Sequence, residues 1–183
     1  MMMTQAFSNF IKNFMRHRGG VAAVEFALIL PIMIFLFVGI AQLSQAVAVK
    51  RKVAITTHTV TDLVTQYTTL QSSDVDSILS ASSAVVAPYS TSNLVLVVSE
   101  ISTDSTGKAT VTWSRTMNGT ALQKGQVVTL PVSITQPNMS YIFGQALYNY
   151  TPILGYTIVG TIPLSDYLYM SPRSTGSIPC SSC

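Results

Sequence analysis

Charge is scarce in this chain. Only 9% of its residues are Asp, Glu, Lys or Arg, while 48% are hydrophobic; soluble domains carry about 25% charged residues. A membrane-bound or assembled state is favoured from the outset. Histidine is equally sparse, with two copies in 183 residues. His17 lies near the start, and His58 stands alone on a Thr-rich stretch. No catalytic triad can be built around that one histidine although Ser and Thr are abundant, and H-E-x-x-H, G-x-S-x-G and the P-loop pattern are absent. The expectation is a non-enzymatic protein with no catalytic residue, metal site, cofactor or small-molecule substrate. Nor does the formal charge of +3 form a nucleic-acid-binding face. Lys12, Arg16 and Arg18 supply it, and beyond Gly20 seven basic residues balance seven acidic ones. With no basic surface along a folded region, nucleic acid is not an expected partner.

One apolar run dominates what is present. Between Arg18 and Lys50 the only charged residue is Glu25. Val21–Val49 would make a helix about 43 Å long at ~1.5 Å per residue, against a hydrocarbon core of roughly 30 Å. The run reads as a retained single-pass transmembrane helix. A cleavable secretory signal competes, since a basic flank precedes the run and Ala46-Val47-Ala48 has the small-x-small form of a signal-peptidase site. Such signals carry only about 7–15 apolar residues, and an acid among them is foreign to the pattern. Pro31 predicts a kink. Gly39 lacks the partner that a G-x-x-x-G contact needs. The Met and Phe residues from Phe26 to Phe37 read as lipid-facing or packing bulk.

Glu25 demands a physical account, because a charged side chain within a bilayer costs about 2.5–3.5 kcal/mol on insertion scales. A shallow position near the headgroups would make it tolerable without explaining it. Cleavage after Gly20 would explain it. Val21 would then carry a new α-ammonium group, with Glu25 one helical turn further on the same face. The acid would also suit the positive end of the helix dipole.

A basic leader ending in Gly, four apolar residues, Glu-Phe and a long apolar helix resemble the prepilin processing motif of type IV pilin-like proteins. Here the motif reads Gly20 | Val21-Ala22-Ala23-Val24-Glu25-Phe26. "GGVAAVEFALILPIMIFLFVGI" is similar to the TadE/TadG-like pseudopilins of the tight-adherence (Flp) pilus. The resemblance is strong over residues 16–50 and weaker at "VTWSR" (Val111–Arg115) and "YNYTPILG" (Tyr148–Gly155). It implies a single-pass protein of the bacterial inner membrane, cut by a prepilin peptidase between Gly20 and Val21. Its expected partners are the membrane, that peptidase, other pilins and pseudopilins, and the pilus inner-membrane platform. Its head would be periplasmic, and its role would be assembly of a pilus for surface adhesion. Glu25 and Phe26 would serve packing or processing. Lys50-Arg51-Lys52 equals the leader's three basic residues, so positive-inside counting leaves orientation to the resemblance.

After Lys52 the sequence turns Thr- and Ser-rich. Val60, Leu63, Val64, Tyr67 and Leu70 follow a helical stripe, which predicts that the helix continues to about Leu70. Ser73 with Asp76 looks like a capping box for a short helix carrying Val75, Ile78, Leu79 and Val86, stopped by Pro88. Beyond Pro88 the period becomes two. Leu94–Ile101, Ala109–Arg115, Gln126–Ile134, Met139–Phe143, Tyr156–Ile162 and Leu164–Tyr169 are strand candidates, with turns at Asp104–Gly107 and Asn118-Gly119. The expected fold is α+β, a long N-terminal transmembrane and amphipathic helix followed by a small antiparallel-sheet head. Its divisions are leader 1–20, transmembrane helix 21–49, amphipathic helical region 50–88, β-rich head 89–170 and tail 171–183. Ser171–Ser177 is expected to pack poorly.

Cysteine occurs only as Cys180 and Cys183. A thioredoxin-like pair requires a helix after it, and a zinc site requires further ligands. The expectation is a small disulfide in an oxidising compartment. A secreted or membrane-tethered periplasmic binding domain unrelated to pili is the alternative function, resting on the Ala46–Ala48 signal-peptidase option.

Overall fold

The computed structural model describes residues 18–152, 160–173 and 176–183. Tertiary contacts divide the chain into two units, one ending at Ser44 and one spanning Gln45–Cys183. Helix α1, Arg18–Thr65, contributes residues to both and keeps Pro31 inside it. In the first unit α1 is apolar on every side, and Val24, Phe26, Leu28, Phe35 and Phe37 are 48–74% exposed.

In the second unit α1 has one buried face. Val49, Val53, Thr56, Thr57, Val60, Thr61, Val64 and Thr65 are all fully buried, at the three- and four-residue steps of a helical stripe. Burying each valine contributes about 1.5–3 kcal/mol. The threonines are tolerated because each hydroxyl bonds a carbonyl of its own helix. Thr56 donates to Lys52 O (2.9 Å), Thr57 to Val53 O (3.0 Å), Thr61 to Thr57 O (2.7 Å) and Thr65 to Asp62 O (2.7 Å). With the polar atom satisfied locally, the methyl group can pack. The stripe thus differs from the one predicted. α1 ends at Thr65, and Tyr67 beyond it is exposed.

The remaining elements are β1 (Leu70–Gln71), α2 (Ser72–Ser83), β2 (Leu94–Thr103), β3 (Ala109–Met117), β4 (Val127–Val128), β5 (Ser140–Tyr150), β6 (Ile162–Met170) and β7 (Cys180–Ser181). Five form an antiparallel sheet in the order β4-β3-β2-β5-β6, and β1 pairs with β7 in a parallel ladder. The α+β class is as read from the sequence. Leu96, Val98, Ile142, Ala146 and Tyr148 share the main core with the buried stripe of α1 and with Val75 and Leu79 of α2. A second core joins Ile101, Val111 and Tyr141 to Leu130, under the long β3–β5 connection.

Gly144 permits this packing. A Cβ built there would lie 1.9 Å from Thr61 Oγ1 and 3.6 Å from Thr57 O, so α1 crosses β5 where β5 has no side chain. Lys50 donates to Ser165 O and lies 3.7 Å from Asp166 Oδ1, so a helix lysine caps the outer edge of β6.

Two local readings change. The cap of α2 is not Ser73 with Asp76: Asp74 Oδ2 accepts from Gln71 N–H at 2.9 Å, and Asp76 instead pairs with Arg115 of β3. Asn118 does adopt a left-handed turn, φ 57°. Its side chain donates to Thr91 O and Leu94 O, and the returning chain forms a strand only at Val127–Val128. The strand predicted over Tyr156–Ile162 lies largely outside the described residues, as do residues 1–17 of the leader.

The β2–β3 turn occurs where predicted. Asp104 Oδ1 accepts from the Thr106 hydroxyl (2.6 Å), Thr106 N–H (2.8 Å) and Lys108 N–H (3.0 Å). These bonds, the Thr106 hydroxyl foremost, hold its carboxyl below the ordinary aspartate value of 3.8. A depressed folded-state pKa contributes stability above the unfolded value and loses it as pH falls through the folded one. Asp104→Ala is therefore expected to lower the melting temperature at neutral pH. Its difference from the parent should shrink as both are melted below the aspartate range. A difference independent of pH would contradict this role.

Candidate functional site

Each of the two units holds one candidate site. In the first, the Gly20–Val21 bond lies within α1, near the N-terminal end of its described residues. Val21 and Glu25 stand four residues apart on one face. Both are exposed, as is Phe26. Bare apolar side chains surround the acid, a state that lipid or other apolar helices relieve. Among the described residues one helix, Gly20–Thr65, is long and apolar enough to cross a membrane.

The second site was not anticipated. Glu100, in the middle of the apolar run of β2, is 1% exposed, and its cross-strand neighbour Trp113 of β3 is 3% exposed. A register shift between Glu100 and Ile101 marks a bulge beside the pair. Together they grip one residue of the tail by its main chain. Ile178 N–H donates to Glu100 Oε1 at 2.7 Å, and Trp113 Nε1–H donates to Ile178 O at 2.8 Å. The Ser140 hydroxyl also donates to Glu100 Oε1, at 2.8 Å, while Oε2 has no donor among the described residues. Ile178 itself is fully buried in the main core. From there Leu70 N–H donates to Pro179 O at 3.0 Å, and β7 pairs with β1 through Leu70↔Cys180 and Gln71↔Ser181.

Cys180 and Cys183 follow, bonded to each other with their Cα atoms 5.6 Å apart, and both pack against the main core. Arg173 is tied to α1 through Asp62 and through its N–H to Thr65 O (3.0 Å). Among the described residues of Ser171–Ser177 all but Pro172 are exposed, in keeping with the expected poor packing, although Arg173 is tied to α1; from Ile178 onward the chain is held in the core. A lone acid inside an apolar strand was the one sequence signal pointing to this clamp. His58 is exposed on α1, and among the described residues no three His, Cys, Asp or Glu side chains converge as a metal site.

The architecture is that of a protein with one membrane-length N-terminal helix and an α+β head. Residues 20–60 match the family model of TadE-like protein. That match bears out the resemblance read from Gly20 onward, and it extends into the part of α1 that packs within the head. No curated protein and no solved structure matches the chain.

Proposed function

We propose that this chain is a non-enzymatic pseudopilin or minor pilin of a tight-adherence pilus. It is held in the bacterial inner membrane by the N-terminal part of α1, with its head in the periplasm. The observation that carries the reading is the sequence Gly20 | Val21…Glu25-Phe26 at the start of an exposed apolar helix, inside the segment that matches the TadE-like family. On this reading a prepilin peptidase cuts the Gly20–Val21 bond. Glu25 then neutralises the new α-ammonium group, in its own chain or in a packed neighbour. The head meets other pilins and the inner-membrane platform, and Cys180–Cys183 is oxidised in the periplasm. Surface adhesion follows from pilus assembly.

The competing binding-domain reading depends on cleavage after Ala48. In the structure Ala46–Ala48 lies inside α1, with Ala46 packed against the main core, Val47 and Ala48 exposed and Val49 fully buried, so cleavage after Ala48 would cut a continuous helix where its buried stripe begins.

Sequencing the mature N-terminus in cells with the cognate prepilin peptidase separates the two. It should read from Val21. Gly20→Leu should block cleavage and leave a full-length chain, whereas Gly20→Ala should slow it only modestly. A mature chain beginning at Val49 would overturn the pilin reading.

A further inference from the structure

We propose that the Cys180–Cys183 disulfide is the fastener of a C-terminal strap. On this proposal the Glu100–Trp113 clamp is filled while the bond is closed and vacated when it is reduced. The inference stands apart from the pilus reading.

Among the described residues, the strap from Ile178 onward is docked by the side chain of Ile178, two hydrogen bonds to its peptide groups, one from Leu70 to Pro179 O, a two-residue parallel ladder and a Ser72–Ser182 hydroxyl contact at 3.3 Å. Beyond Ile178 the chain must bend at once to return its end to the core. Ser182 makes that bend in the left-handed region, φ 65°, which non-glycine residues seldom occupy. The covalent bond imposes the bend and joins both sulfurs into one apolar cap on the main core. Without it, the bend and the cap each have to be held by a ladder of two residues.

The clamp also has reason to open. Glu100 is buried with Oε2 lacking a donor, an arrangement that is costly away from water. Departure of the strap would let water reach that oxygen. Opening would hydrate Glu100 Oε2 at the cost of Ile178's burial and its two peptide hydrogen bonds, and on this proposal the disulfide tips that balance. By linkage, the docked strap favours the disulfide to the same degree that the disulfide favours docking. Closure removes a proton and an electron from each thiol. A thiol–disulfide exchange protein accepts both electrons, its own disulfide becoming a dithiol; reduction by a dithiol is the reverse. So short a loop constrains the unfolded chain little, so the effect is local to the strap.

Trp113 is the single tryptophan of the chain, so its emission reports this one site. The full chain in detergent is treated with dithiothreitol, and reduction is verified by alkylation of two thiols. Trp113 emission should shift to the red, acrylamide quenching should rise, and amide protection at Ile178 should be lost. The far-UV spectrum should not change. Cys180→Ser with Cys183→Ser should show the reduced-state emission and no response to the reductant. Unchanged emission and quenching in chain carrying two alkylated thiols would overturn the proposal. So would a serine variant with the parent's spectrum, or collapse of the far-UV spectrum on reduction, which would make the bond a support of the whole head.

Discussion

Gly144→Ala is expected to destabilise the head by about 1–3 kcal/mol, the usual range for forcing volume into a packed core. Gly144→Val should cost more. The reason is one distance: the added Cβ meets Thr61 Oγ1 at 1.9 Å, and that hydroxyl is already committed to Thr57 O. Relief requires α1 to lift from β5, or Thr61 to rotate and strand a buried hydroxyl. Either response weakens the contact that seats the stripe from Val49 to Thr65. For a chain of this size each kcal/mol shifts the melting temperature by roughly 2–4 °C. Thr61→Ala should restore much of the loss in the Gly144→Ala background, since the next nearest atom is Thr61 Cβ at 3.2 Å. Gly39→Ala is the control, because nothing lies within 4 Å of a Cβ placed there. A Gly144→Ala protein that melts with the parent, or a double variant no better than the single, would show that the crossing does not depend on the missing side chain.

Replacing Glu25 by glutamine should abolish pilus assembly while leaving membrane insertion intact. The substitution preserves size and removes a charge from an already sufficient apolar run, so insertion should be unchanged or slightly easier by the few kcal/mol that insertion scales assign to such a charge. Assembly is expected to fail because the α-ammonium group of Val21 would then enter an apolar surrounding unpaired, and an isolated charge there is expensive. Membrane fractionation, mature-end sequencing and pilus formation measured on one strain distinguish the steps. Normal processing with no pili places the role of Glu25 in packing; unprocessed chain places it in recognition by the peptidase. A variant that is processed, inserted and fully piliated would refute the pairing.

Much of this protein follows from local pattern. The long run without charge, broken only by Glu25, defines a membrane-length helix, because bilayer thickness sets the number of apolar residues needed. The spacing from Gly20 to Glu25 is likewise a property of consecutive residues. Alternation marked β2 and β3, and the turn at Asp104–Gly107 formed where its residues allow. The limits of local pattern show at Thr57 and Thr61. Their composition suggests a solvated helix surface, yet they are fully buried because each hydroxyl is satisfied within its own turn.

Tertiary structure decided what depends on partners far apart in the chain. Gly144 falls just beyond the strand predicted at Met139–Phe143, and only the folded head shows that it lies within β5 where Thr61 approaches. Glu100, Trp113 and Ile178 come from three separate segments, and no spacing rule connects them. A strand reveals which residues alternate, whereas the bulge beside Glu100 and the pairing of β2 with both β3 and β5 determine what the acid meets. The tail from Ser171 has the composition of a loose end. It is ordered around Ile178 because a buried carboxyl and an indole, contributed by other strands, satisfy that residue's peptide groups where water cannot.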